Sequence, residues 1–364
     1  MKMAMAPDLQ HPTAGPDAPA ATPASPTSSA APSSPARVKT VACVGGVSLE
    51  RGVAPEEIRE HLREADNVVW VDVQDPGPAE VATLVDEFGF HPLSLEGAGE
   101  GRRRPKLDEY KGYHALVTYA AVPDAAAADA AGAGERRVAE VDLFIGRNYV
   151  VSLHRGRVAA VEEAAARWTR GGALLREGVG FLVYTLLDSL IDSFAPLISG
   201  VEDEIEEIEI GVFTSSDEEG VRELLRSKRT LSGLRRVLFP LREIFPSLLR
   251  RDHPFFRGAT QVYLSDARDH LLRILDVLDA QRDMAAGALE ASLTVSSHRL
   301  NKTMKTLALL TGAVAVMGAV FGAYGMNFQV VPLGEYRWGF WVVSAGTIAF
   351  VAALALAGRW RKWW

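Results

Sequence analysis

Between Lys305 and Glu335 the sequence contains no Asp, Glu, Lys, Arg or His, so its chemistry there rests on neutral groups: backbone carbonyls, the hydroxyl of Thr311 and the amide of Asn327. Charge is gathered elsewhere. Residues 202–209 read Glu-Asp-Glu-Ile-Glu-Glu-Ile-Glu, and a later run carries Arg222, Arg226, Lys228, Arg229, Arg235 and Arg236. Two solvated antiparallel helices of complementary charge would use these residues, and so would a surface that collects cations. Cys43 is the single cysteine, which rules out an intrachain disulfide and a Cys/His zinc cluster and fits a reducing compartment. His91, His114 and His154 lie in strand or turn contexts without an evident nucleophile, and there is no Gly-rich phosphate-binding fingerprint. An enzyme on a tether and a ligand-binding scaffold therefore lack motifs, and the histidines read as core or surface residues. The net charge of −7, with Lys and Arg dispersed, argues against a nucleic-acid partner.

The elements that must carry these groups follow from hydropathy. Residues 307–326 supply the roughly 20 apolar positions that cross a bilayer, and residues 339–358 supply a second set. Trp338, Trp341, Trp360, Trp363 and Trp364 stand at the ends of the second stretch as interfacial anchors. His298, Arg299, Lys302 and Lys305 precede the first span, and Arg359, Arg361 and Lys362 follow the second, so the positive-inside rule puts both termini in the cytoplasm. A multi-pass protein of the cell (inner) membrane, in contact with the lipid bilayer, is expected. Two spans cannot enclose a water-filled path, so conduction requires several copies.

Ahead of the membrane, the reading divides the chain into a disordered Ala/Pro/Ser-rich tail at 1–37, an α/β domain at 38–170, a helical region with the acidic helix at 171–259, and a stalk helix at 260–305. The first transmembrane helix is set at 306–327, an external loop at 328–337, the second transmembrane helix at 338–358, and a basic, aromatic tail at 359–364. The early prolines and Asp8 leave no apolar core for a secretory signal. Residues 68–73, Val-Val-Trp-Val-Asp-Val, read as a buried strand, 78–88 as a helix, 113–122 as a strand, and 138–154 as two strands joined through Gly146-Arg147-Asn148; the sheet is expected to be mixed. The Ala/Gly/Asp-rich residues 124–135 read as a loop insertion. No proline occurs from Thr260 to Pro332, which predicts one very long helix, with Val262, Leu271, Ile274, Leu278 and Leu289 as packing positions of its first half.

At the end of the first span stands Tyr324-Gly325-Met326-Asn327-Phe328, and here the chain resembles the CorA family of magnesium (and cobalt/nickel) transport proteins. The resemblance runs from about residue 38 to the C-terminus. It also includes Phe88-Gly89-Phe90-His91-Pro92-Leu93, Arg104-Pro105-Lys106-Leu107-Asp108-Glu109-Tyr110 and Asn301-Lys302-Thr303-Met304-Lys305-Thr306-Leu307. It implies a funnel-shaped homopentamer with the first span lining a pore, and passive Mg²⁺ influx driven by the membrane potential. Gly325, Met326 and Asn327 would then form the selectivity filter at the outer mouth. Mg²⁺ surrenders its water shell reluctantly, so rings of neutral carbonyl and amide oxygens suit it better than a carboxylate cage. A plain helix cap is the competing reading of the tripeptide.

On a helix, Asn301, Met304, Leu307, Thr311, Ala315, Gly318 and Gly322 share one face, expected to line the pore, with Met304 and Leu307 as the gate. Close helix packing is the competing reading of its small residues. Glu290 falls where the resemblance implies an acidic ring at the inner mouth, and is otherwise an exposed stalk residue. The resemblance further implies an inhibitory Mg²⁺ site between subunits, for which Asp266, Asp269 and Glu96 are the candidates. The chain departs there, since Gly97 stands where an aspartate is expected. The expected ions are Mg²⁺, transported and regulatory, with Co²⁺ and Ni²⁺ not excluded by any residue; a zinc transporter of the same superfamily is the alternative.

Overall fold

The structure, a computed structural model, describes residues 36–98, 103–122, 138–214, 218–251, 253–256, 258–326, 332–333 and 336–360. Asn327, most of the 328–337 loop, the 124–135 insertion, and the tails at 1–35 and 361–364 lie outside the described residues.

Seven strands form one sheet: β1 (Arg37–Val44), β2 (Ser48–Arg51), β3 (Val68–Gln74), β4 (Lys106–Tyr110), β5 (Tyr113–Ala121), β6 (Val138–Gly146) and β7 (Tyr149–His154). Their order is β2-β1-β3-β7-β6-β5-β4. Only β3 and β7 run parallel; every other pair is antiparallel, so the sheet is mixed as the sequence suggested. From Val68 to Val73, β3 is apolar but for Asp72 because both its faces are covered, Val69, Val71 and Val73 on one side and Val68 and Trp70 on the other. The first strand begins at Arg37, one residue inside what the sequence assigned to the tail.

One face of the sheet is covered by α1 (Pro55–Arg63), α2 (Pro78–Phe88) and the short α3 (Pro92–Leu95), which contribute Ile58, Leu84 and Leu95 to a core around Phe90 and Phe144. α2 is bounded by Pro78 at its first turn and Gly89 in the left-handed conformation (φ 68°) at its end, signals present in the sequence. The opposite face carries the larger core, built from α4 (Ala159–Thr169), α5 (Val179–Asp192), α6 (Phe194–Thr214), α7 (Glu218–Leu248) and the first part of α8 (Ala259–Gly325). α9 (Gly339–Trp360) follows.

α5 is buried along its whole length from Val179 to Ile191, which sets its polar Thr185, Asp188 and Ser189 inside the protein. α6 holds the acidic run and packs on α7 through buried Val201 and Ile205, with Ser227 donating to Glu204 at 3.2 Å. Arg235 of the basic run turns instead to the stalk, its Nε 2.8 Å from Asp279 on α8.

Candidate ion pathway

α8 is one helix of 67 residues, roughly 100 Å at 1.5 Å per residue. Its first part is anchored by Leu264, Leu271 and Leu278, none with accessible surface. Of the packing positions expected from sequence, Leu271, Ile274 and Leu278 are buried, whereas Val262 is 70% exposed and does not belong to the core of the single chain. Beyond Ser292 the character changes: no residue from 293 to 326 is buried.

Within that stretch Leu309, Ala313, Val316, Met317 and Val320 are half-buried. Their spacing of three and four gathers them on one side of the helix. On α9, Val343, Thr347, Val351 and Gly358 recur in the same way, and the two helices touch. Asn301, Met304, Leu307, Thr311, Ala315, Gly318 and Gly322 are all exposed. At about 100° per residue they fall on the side of α8 opposite the seam with α9. Among the described residues, three helical stretches are long and apolar enough to cross a membrane: 72% of the apolar window in Val179–Ile210 is buried inside the protein, against none in α8 and 6% in α9. The apolar surfaces of α8 and α9 thus require lipid or further protein to cover them.

α8 ends at Gly325, with Met326 in extended conformation (ψ 138°) as its cap. A Cβ added at Gly325 would meet no atom of the described residues within 4 Å. Tyr324 donates its phenol proton to the carbonyl of Pro332 at 2.9 Å, tying the helix end to the loop. Gly325 and Met326 are therefore presented at an exposed helix terminus, and Asn327 lies one residue outside the described structure.

Glu290 is exposed on α8, with its backbone carbonyl accepting from Thr294. Asp266 and Asp269 are also exposed, one turn apart on α8 and on the same side as Val262. Tyr184 donates to Asp266 at 3.4 Å, and Asp269 takes Arg268 at 2.9 Å. Glu96 caps α3, in the helical layer on the other face of the sheet, so a single chain does not bring it together with Asp266 and Asp269.

The donors that do converge in one chain are Asp188, Asp192 and His270, with ligand atoms within 4.8 Å of one another. His270 stands between the carboxylates, Nδ1 3.3 Å from Asp188 and Nε2 3.1 Å from Asp192. Arg167 pairs with Asp188 on its other side. Burial, followed by the Asp188 charge, raises the Asp192 pKa. These three groups could hold a divalent cation in competition with Arg167. Sequence reading passed over them, although Asp188 in the middle of an apolar helix is a usable signal, because a buried carboxylate demands a partner.

Among the histidines, His154 Nε2 lies 3.2 Å from Asp72, and Ser152 donates to the same carboxylate at 2.6 Å. The serine hydroxyl is directed to the aspartate rather than to the imidazole, and all three residues are buried. This arrangement cross-links β3 and β7 and does not activate a nucleophile.

Comparison with known proteins agrees with this layout. The family model described as "CorA-like Mg2+ transporter protein" matches residues 65–357. The cobalt/magnesium transport protein CorA of Thermotoga maritima is 28% identical over 305 residues, 83% of this chain and 85% of that protein. In three dimensions the chain resembles the complete CorA magnesium transporter of Methanocaldococcus jannaschii, with a TM-score of 0.73 at 21% identity over 88% of this chain and 97% of that one. Full-length CmaX gives 0.67 at 24% identity over 89% and 98%. With the family model covering most of its length, the chain belongs to the CorA-like Mg²⁺ transporter family, whose members are membrane transporters of divalent cations rather than enzymes.

Proposed function

We propose that this protein carries Mg²⁺ into the cell down the membrane potential, through a path that several copies, five by resemblance to the family, build around the exposed stripe of α8. Asn301, Met304, Leu307, Thr311, Ala315, Gly318 and Gly322 line the path, Gly325, Met326 and Asn327 select at its outer mouth, and Glu290 concentrates cations at its inner one. α9 faces lipid, and both termini lie in the cytoplasm. The observation that carries this reading is the position of the stripe on the side of α8 that α9 leaves free. A helix with two apolar sides and one partner must meet lipid or copies of itself on the other.

The selection chemistry follows from what the path offers. From Thr306 to Met326 there is no carboxylate, imidazole or thiol, so an ion meets only hydroxyl, carbonyl and thioether groups. A cation that enters there keeps most of its water, which suits Mg²⁺ and admits Co²⁺ or Ni²⁺ of similar hydrated size. Zinc transport gains nothing from the same stretch, because the thiolate sulfur and imidazole nitrogen that Zn²⁺ favours are absent from it. In the cytosol, Asp266 and Asp269 of one copy with Glu96 of another would bind inhibitory Mg²⁺, weakly because Gly97 brings no charge.

Uptake into proteoliposomes under an inside-negative voltage tests the proposal. Mg²⁺ influx is expected for the wild type and loss of selective influx for Asn327→Ala, with the oligomer unchanged on native gels. Unaltered selectivity in Asn327→Ala would overturn the filter assignment, and absence of any dication uptake by the wild type would overturn the function.

A further inference from the structure

β1 is only half covered. It pairs with β3 from Arg37 to Cys43 but with β2 only from Val41 to Val44, and the last bond on the β2 side is Gly52 N–H to the Thr40 carbonyl at 2.8 Å. The N–H and C=O of a strand residue point to the same edge and alternate along the chain. Since the Thr40 carbonyl faces the β2 side, both backbone groups of Val38 face it too, where no described strand lies. Val38 is also 53% exposed. An uncovered strand edge of this kind invites another strand.

A cavity of about 860 Å³ surrounds this open edge on both faces of the sheet. Val73, Leu84 and Phe88 form an apolar cleft on the α2 side, and the small Ala165 and Ala166 leave room on the α4 side. The glutamates around it are already engaged. Glu80 accepts from Gly77 N–H at 2.9 Å, Glu87 takes Arg59 in two bonds of 2.6 and 2.9 Å, and Glu162 takes Arg157 at 2.7 Å. The cations are less satisfied: Lys39 reaches Glu162 only at 3.9 Å, and Arg51 has no ion-pair partner among the described residues. Register places Lys39, Val41 and Arg51 on one side, the α4 side, because Val41 lies opposite Arg51.

We propose that the open edge of β1 at residues 37–40 docks an extended peptide strand in which large apolar side chains alternate with acidic ones. The apolar side chains enter the cleft of Val73, Leu84 and Phe88; the acidic ones meet Lys39 and Arg51; the backbone bonds to Val38. Strand addition uses main-chain bonds for affinity and alternate side-chain pockets for specificity, and it accounts for a cavity that wraps around an edge instead of entering one face. An aliphatic lipid chain would fill one face and leave the Val38 amide and carbonyl unused.

The test uses full-length protein in nanodiscs and a labelled, acetyl-capped hexapeptide Val-Asp-Val-Asp-Val-Asp, with fluorescence anisotropy as readout. Saturable binding is expected. It should weaken at least tenfold for a block peptide of the same composition, for a peptide N-methylated at alternate amides, and for the Lys39→Glu/Arg51→Glu double variant. Val38→Pro should weaken it as well, since that N–H faces the open edge and makes no bond within the sheet. The N-methylated peptide reports on the same bonds should Val38→Pro disturb folding. Absence of saturable binding, binding indifferent to N-methylation, or saturation by labelled laurate in place of peptide would each overturn the proposal.

Discussion

The phenol of Tyr324 holds the carbonyl of Pro332 at 2.9 Å, across a connection of eight residues that joins the end of α8 to the approach of α9. Among the described residues it is the side-chain bond that ties the end of α8, where the filter is proposed, to the loop. A hydrogen bond of this type contributes about 1 kcal/mol net. Tyr324→Phe is therefore expected to leave assembly intact while loosening the outer mouth, lowering discrimination of Mg²⁺ against monovalent ions severalfold in vesicle flux. Discrimination equal to wild type would show that the tether does not shape the filter.

Gly97 departs from the resemblance at the inhibitory site, and its geometry sets the terms of restoring it. Its φ is +70°, and among the described residues a Cβ there would meet nothing closer than Arg103 Cδ at 3.9 Å. Aspartate is among the residues that tolerate this conformation, at roughly 1–2 kcal/mol. Gly97→Asp should lower Tm slightly and strengthen inhibition by internal Mg²⁺. Wild-type channels that already close firmly at millimolar internal Mg²⁺, or a variant no more sensitive than wild type, would contradict the role given to the missing carboxylate.

His114 supplies a pH dependence in the cytosolic domain. It is buried on β5, neither ring nitrogen has a hydrogen-bond partner among the described residues, and its ring packs 5.0 Å from that of His253. Burial lowers its pKa, with Glu109 opposing and Arg250 assisting. The unfolded chain therefore takes up this proton as pH falls through the ordinary histidine value near 6.5, before the folded one does. The stability it allows is complete above that value and is lost as pH falls toward the lowered folded pKa. Tm of the full-length protein should drop between pH 7 and 5, and His114→Gln should make the drop shallower; an unchanged slope would assign the acid sensitivity to other groups.

Much of this architecture was legible where one physical signal dominated. The apolar run of β3, the Pro-to-Gly frame of α2 and the absence of proline along α8 each correspond to an element at nearly the expected bounds. β2 and β4 escaped notice because four- and five-residue strands with half-exposed residues carry too little alternation to stand out. Val262, expected as a packing position of the stalk, is exposed in the single chain, because apolar character says only that a residue avoids water; whether its partner is the same chain or another copy is not written locally. Asp188 was overlooked because α5 is buried all round from Val179 to Ile191, so one-face periodicity gave no reason to ask what its carboxylate contacts. The α8 stripe was drawn and assigned from spacing and resemblance alone; what the sequence did not show is that α9 packs on the opposite side.

Thiol modification decides most directly which side of α8 the ion travels along. With Cys43 replaced by serine, Thr311→Cys and Val316→Cys would be compared for block of Mg²⁺ influx by a membrane-impermeant cationic thiol reagent. The account predicts that modification at 311 stops the flux and modification at 316, in the seam with α9, leaves it intact. Block at 316 with free passage at 311 would place the ion path on the other side of the helix and contradict the assignment.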